Sequence, residues 1–312
     1  VTSQGWDDVL ADAAERWSRS SVPADAWQRA FPETLMALVH RWGLELEAIL
    51  PHGGLPVCAV RRPDGQPAVL KLGRPADLNQ EAAMFAADGG RSTARLLEHD
   101  PDAAAILVER LGRALGDVEP DPLLQCRRLA ETLQLWWQVP LSVAPDHSMH
   151  FGGSKARGLR SILDEQGPRF GGAAPVAIAR ARHLADALAT DEHPEVVCHG
   201  DPHPWNLLEH LDGGWRFVDP DGLLCEKAYD LGVVLRGHGA HVIALERARP
   251  GSGSDFLAEL AGELGAITGV DVQRILDWAF VERVTTGLYC RMLGHEADGV
   301  EHLTAAEVLA TA

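Results

Sequence analysis

Three short runs, LELEAILPH from Leu44, VCAVR from Val57 and AVLKL from Ala68, alternate apolar and polar residues and are separated by the turn sequences GGLP and PDGQP. A period of two broken by turn residues predicts an antiparallel meander ending at Leu72. The spacing then becomes helical over Asp77 to Asp88, with Leu78, Ala82 and Phe85 on one face and Gly89-Gly90 as the stop. ARLLEHD and AAAILVERL predict two further strands around Asp100-Pro101. Upstream, amphipathic helices are expected over Asp7 to Arg19 and Glu33 to Trp42, with Pro23 and Pro32 marking the break between them.

Beyond Leu111-Gly112 the pattern is mostly helical: Asp121 to Val139, Lys155 to Glu165, Ala174 to Thr190, Ser254 to Leu264, Val272 to Met292 and Ala305 to Ala310. Pro140 to Gly153 has no clear period and reads as an ordered loop or a flap. Trp136 and Trp137 are adjacent on one predicted helix and cannot share a face, so at most one is expected in the core. One strand-rich island interrupts the helices: EVVCHGD, NLLEH and WRFVDPDG. Residues 1–112 are thus expected to form a small sheet-plus-helix lobe and residues 113–312 a larger helical one, an α+β chain in two lobes.

A chain of 312 residues is long enough for a buried cleft between lobes, where small-molecule chemistry usually sits. The formal charge of −17 argues against a nucleic-acid partner and favours a cationic ligand. The acidic excess is −5 up to residue 112 and −12 beyond it, so most of it falls in the second lobe. Apolar runs are interrupted well short of the ~20 residues a membrane span needs, and no signal-like segment opens the sequence, so no membrane association and a cytoplasmic protein are expected. Five widely spaced cysteines without a CxxC pair read as reduced thiols. Only three lysines occur against twenty-five arginines, which makes a lysine an uncommon choice wherever arginine would serve.

The island carries the chemistry. HGDPHPWN places Asp201 at a strand end and Asn206 five residues on, the spacing of the protein-kinase catalytic loop, in which the aspartate accepts a hydroxyl proton and the asparagine binds Mg²⁺. In FVDPDG, Asp219 follows two apolar strand residues and precedes a turn, as does the metal-binding aspartate of the kinase DFG segment; Asp221, in the turn, ranks below it. Lys71 on the third strand and Glu81 on the following helix match the lysine that contacts ATP phosphates and the glutamate that holds it. No GxGxxG precedes them; PHGGLPV is a shorter glycine-containing turn. A competing reading takes His199, Asp201 and His203 as zinc or iron ligands, but it leaves Lys71 and Glu81 without a role. His199 is more simply a residue that orients the loop, and Asp230 in YDLG a buried aspartate capping the catalytic-loop backbone.

HGDPHPWNLL and FVDPDGLLCEKAYDLGVVLR, with RWGLELEAILPHGG, GQPAVLKLG, NQEAAMF and ARLLEHDPDAAAILVERL, resemble the aminoglycoside phosphotransferase superfamily. The resemblance runs from about Phe31 to Leu235 and is nearest to the streptomycin 6-phosphotransferase and hydroxyurea-resistance kinase group. It implies a bilobal protein-kinase-like fold and an ATP- and Mg²⁺-dependent O-phosphotransferase acting on a cationic small-molecule acceptor, streptomycin before others. Asp201 would be the catalytic residue, Asn206 and Asp219 the Mg²⁺ ligands, and Lys71 with Glu81 the phosphate-contacting pair. Backbone groups from Glu109 to Leu111 would hold adenine. Glu282 and Glu296 are candidates for the carboxylates that hold the acceptor. A kinase for another small alcohol or amino sugar, and a regulatory pseudokinase, are the alternatives.

Overall fold

The computed structural model describes residues 26–50, 57–73, 75–144, 152–190 and 193–311. The chain divides into two compact units, Val1–Leu111 and Gly112–Ala312.

In the first unit, helix α1 (Ala26–Arg41) precedes a five-stranded antiparallel sheet of β1 (Glu45–Leu50), β2 (Val57–Arg61), β3 (Pro67–Leu72), β4 (Leu96–Asp100) and β5 (Ala105–Glu109), in the order β1-β2-β3-β5-β4. Helix α2 (Pro75–Asp88) joins β3 to β4. The alternating runs become strands because one face of each is buried: Cys58, Val60, Ala68, Leu70, Leu72, Ala105 and Leu107 pack with Phe31, Leu35 and Leu38 of α1. That packing also explains why α1 runs through Pro32, where a break was expected. The apolar stripe Phe31, Leu35, Leu38 spans the proline, and its burial offsets the backbone hydrogen bond that Pro32 cannot make. The expected helix over Asp7 to Arg19 and the PHGGLPV turn lie outside the described residues, apart from the turn's last residue, Val57.

The second unit comprises α3 (Leu115–Val118), α4 (Pro122–Trp136), α5 (Gly152–Phe170), α6 (Pro175–Thr190), α7 (Lys227–Arg236), α8 (Gly239–Ala248), α9 (Ser252–Thr268), α10 (Val272–Met292) and α11 (Glu296–Thr311). Two small antiparallel ladders complete it: β6 (Glu195–Cys198) with β9 (Leu223–Glu226), and β7 (Leu207–Glu209) with β8 (Trp215–Phe217). A core of Leu159, Leu163, Ile178, Ala181, Tyr229, Trp278, Val281 and Leu288 joins α5, α6, α7 and α10. Pro140 to Val143, expected as loop, forms a short 3-10 turn over Leu141–Val143, and residues 145–151 lie outside the described residues.

Two expectations are corrected here. Helices α7 and α8 were not read from the sequence. Both Trp136 and Trp137 are buried, at 0 % and 7 % exposed. Trp137 is the C-cap of α4, so it leaves the helical path and the one-face argument stops applying; its indole Nε1 donates to Asp230 at 2.8 Å.

Candidate active site

Strand β6 delivers the HGD segment, and β9 holds it in register, with Cys198 opposite Leu223. Just past the strand, Asp221 N donates to His199 O at 2.7 Å, which ties the FVDPDG turn to the loop. Gly200 is required at this crossing. Its φ is +95°, and a Cβ there would come within 2.5 Å of the Asp221 side chain. Asp230, fully buried on α7, accepts from His199 N and Gly200 N, each at 2.9 Å, and from Trp137 Nε1. One carboxylate thus fixes the backbone immediately before Asp201.

His199 is fully buried against Phe217 and Trp136. Its Nε2 lies 3.0 Å from Val218 O, and its Nδ1 accepts from Asp201 N at 3.3 Å. Burial lowers its pKa to about 4, so the ring is neutral and both nitrogens are committed. That removes His199 from any metal-ligand set built on HxDxH. Among the described residues, no group of three or more His, Cys, Asp or Glu side chains is placed to hold a metal.

Asp201 receives the Arg236 guanidinium on Oδ1, and His203 Nε2 lies 3.3 Å from Oδ2. Burial raises the pKa of this carboxyl, but the His203 hydrogen bond and the Arg236 charge reverse that and hold it well below the usual carboxylate range. Asn206 Nδ2 donates to Asp201 O at 3.0 Å, which leaves the oxygen end of the amide as its acceptor. Val218 N donates to Asn206 O at 3.0 Å, which ties the two loops to each other. Asp219 has φ +56°, a left-handed conformation uncommon outside glycine. An amide oxygen and a carboxylate form a hard donor set, which suits a small divalent cation completed by phosphate oxygens and water.

Arg236 also reaches Glu282 on α10, with Nη1 3.3 Å from Oε2. Glu282 is 4 % exposed, so it is a buried member of the charge network. Glu296 is placed differently: its side chain is 61 % exposed and pairs with Arg291 at 2.7 Å.

In the first unit, Lys71 on β3 stands between Val57 of β2 and Ile106 of β5. Its Nζ lies 2.9 and 2.8 Å from the two oxygens of Glu81 on α2. Both residues are over 90 % buried. A bidentate contact at that depth fixes the ammonium where a mobile surface lysine would wander. Glu109 ends β5 and accepts from Arg95 N at 2.8 Å; Leu111 is half-buried two residues beyond the strand.

The structure therefore brings Lys71 to Glu81, and gathers Asp201, Asn206, Asp219 and Glu282 around the β6 and β8 loops and α7. Sequence reasoning missed Arg236. One arginine among twenty-five carries no signal of its own. Its place at the end of YDLGVVLR, six residues after Asp230, was the available clue.

Residues 45–294 match the model of the aminoglycoside/hydroxyurea antibiotic resistance kinase family. A streptomycin 6-kinase of Streptomyces griseus is 31 % identical over 225 residues, 70 % of this chain and 71 % of that protein. One from Streptomyces glaucescens is 30 % identical over 305 residues, 91 % of each chain. Among solved structures, a thermostable mutant of an aminoglycoside phosphotransferase superposes with a TM-score of 0.61 at 12 % identity, covering 88 % of this chain and 97 % of that one. The likeness shows the protein-kinase-like fold that the small sheet unit and the helical unit compose. A family match across four-fifths of the sequence, joined to relatives aligned over most of their length, is decisive: the chain belongs to the aminoglycoside/hydroxyurea antibiotic resistance kinases and is a small-molecule phosphotransferase.

Proposed function

We propose that this phosphotransferase inactivates a cationic aminocyclitol antibiotic, streptomycin before others, by moving the γ-phosphoryl group of ATP to one of its hydroxyls. The observation that carries the reading is the Asp201 carboxylate, held by Arg236 and His203 at the end of a loop locked by Asp230. The acceptor oxygen bonds to the γ-phosphorus, the bond from that phosphorus to the ADP oxygen breaks, and the hydroxyl proton passes to Asp201. A carboxylate with so low a pKa is a weak base, so its task is to orient the hydroxyl and take the proton late, as a loose phosphoryl-transfer transition state allows.

Lys71, fixed by Glu81, supplies positive charge for the nucleotide phosphates, and backbone groups from Glu109 to Leu111 are assigned to adenine. Asn206 and Asp219 would hold Mg²⁺, which neutralises charge on the phosphates. The relatives' activity on streptomycin and the acidic excess of residues 113–312 support a cationic acceptor. Guanidinium groups suit carboxylates that can take them bidentately. The test is acceptor-dependent ADP release across streptomycin, kanamycin-type amines and neutral sugars. Streptomycin should stimulate most, with a KM that rises with salt as screening weakens charge pairing. A neutral sugar as the best acceptor, without salt dependence, would leave a kinase for another small alcohol.

A further inference from the structure

The contact between Arg236 and Glu282 leaves one carboxylate oxygen over. Glu282 Oε1 is buried and makes no hydrogen bond. Its cationic neighbour on that side is Lys155 Nζ at 3.8 Å, beyond hydrogen-bond reach. The same Nζ stands 5.0 Å from the centroid of the Tyr229 ring, a cation-π distance. The Lys155 side chain is 30 % exposed, whereas that of Glu282 is 5 % exposed. The lysine therefore enters from the solvent side, from the first turn of α5, and stops short of the oxygen it faces.

A buried carboxylate oxygen without a donor is costly, and a structure that keeps one has a use for it. The choice of residue sharpens the point. In a chain that uses arginine twenty-five times and lysine three times, an arginine here could close a bidentate pair with Glu282, and the lysine does not. The oxygen also sits next to the chemistry, because the guanidinium that holds Glu282 Oε2 holds Asp201 as well.

We propose that Glu282 Oε1 and the face of Tyr229 form a subsite for a guanidinium or ammonium group of the acceptor, and that Lys155 is a resident cation which this group displaces. The inference rests on the reading that the acceptor is cationic. A guanidinium offers Oε1 the hydrogen bonds that Lys155 withholds, and an acceptor anchored there presents a neighbouring hydroxyl to Asp201. Lys155 then acts as a selectivity filter: a ligand must bind Glu282 better than a weakly held ammonium, which a neutral sugar cannot do.

Acceptor KM in streptomycin-dependent ADP release tests this with opposed substitutions. Lys155→Met removes the competitor and should lower KM by roughly three- to tenfold. Lys155→Arg installs a stronger competitor and should raise it by a similar factor. Glu282→Gln should raise it tenfold or more, the scale of one charge-assisted contact. A lysine with a merely structural role would make both Lys155 variants worse, chiefly in kcat. Equal shifts in both, or no shift in either, would overturn the proposal. Calorimetric binding of agmatine, which carries one guanidinium, separates this idea from the identity of the antibiotic. If streptomycin elicits no ADP release, the acceptor reading fails alone, and the subsite still predicts tighter agmatine binding to Lys155→Met than to wild type. Equal or absent binding to both would sink the subsite.

Discussion

Gly232 sits where α7 crosses α10, and replacing it with alanine tests whether that crossing sets the site. A Cβ at Gly232 would lie 2.6 Å from Trp278 Cβ, 2.8 Å from Ala279 N and 2.9 Å from Trp278 C. Two of these atoms are backbone, so no side-chain rotation relieves the clash. Restoring ordinary contact requires the helices to part by about 1 Å. Overpacking of this kind costs up to about 3 kcal/mol, and the helix propensity of alanine returns about 1 kcal/mol. The net is about 2 kcal/mol, a fall in Tm of roughly 4–8 °C for a unit of this size. The same shift moves Asp230 and Arg236 on α7 relative to Glu282 on α10, so kcat should drop about tenfold or more. Gly158, exposed on α5 with nothing within 4 Å of its would-be Cβ, is the control. Gly158→Ala should gain roughly 0.5–1 kcal/mol and leave turnover near wild type. Thermal melts by far-UV circular dichroism, together with ADP release, read both variants. A Gly232→Ala protein as stable and as active as Gly158→Ala would refute the argument.

Asp219→Ala and Asn206→Ala should each raise the Mg²⁺ concentration needed for half-maximal turnover by about tenfold, read from rate against Mg²⁺; an unchanged requirement would remove both residues from the metal site. Stability should fall on acidification. Burial holds His199, His238 and His302 at about 4, so the unfolded chain takes up protons near pH 6.5 that the folded chain refuses. Asp221 and Asp230, pushed to about 6 by burial, take protons first in the folded chain and oppose this. Three groups against two leave about 1.4 kcal/mol lost per pH unit between pH 6 and 4, and a Tm that stays level or rises over that window would contradict the balance.

The motif residues are legible because their signals are local. Lys71 falls on an alternating strand and Glu81 on an amphipathic helix ten residues later, while Asp201 and Asn206 share one loop. Helix α7 gave no such signal. Ala228 through Leu235 are all buried, so the segment has no polar face from which a period could be read. Glu282 stood out as a candidate carboxylate, but its charge partners were hidden for a related reason. It lies in a run from Trp278 to Thr285 that is buried throughout, where a charged residue survives only beside partners contributed from distant segments, here Arg236 and Lys155. Those partners belong to the fold, and no spacing along the chain announces them.

The central claim is that Asp201 receives the hydroxyl proton of a cationic antibiotic during transfer from ATP. Mass spectrometry of streptomycin incubated with ATP, Mg²⁺ and either wild type or Asp201→Asn tests it most directly. The account predicts a singly phosphorylated streptomycin with wild type and a rate at least about 100-fold lower with Asp201→Asn, whose affinity for Mg·ATP stays near wild type. Phosphorylated streptomycin formed at equal rates by both proteins, or by neither, would contradict it.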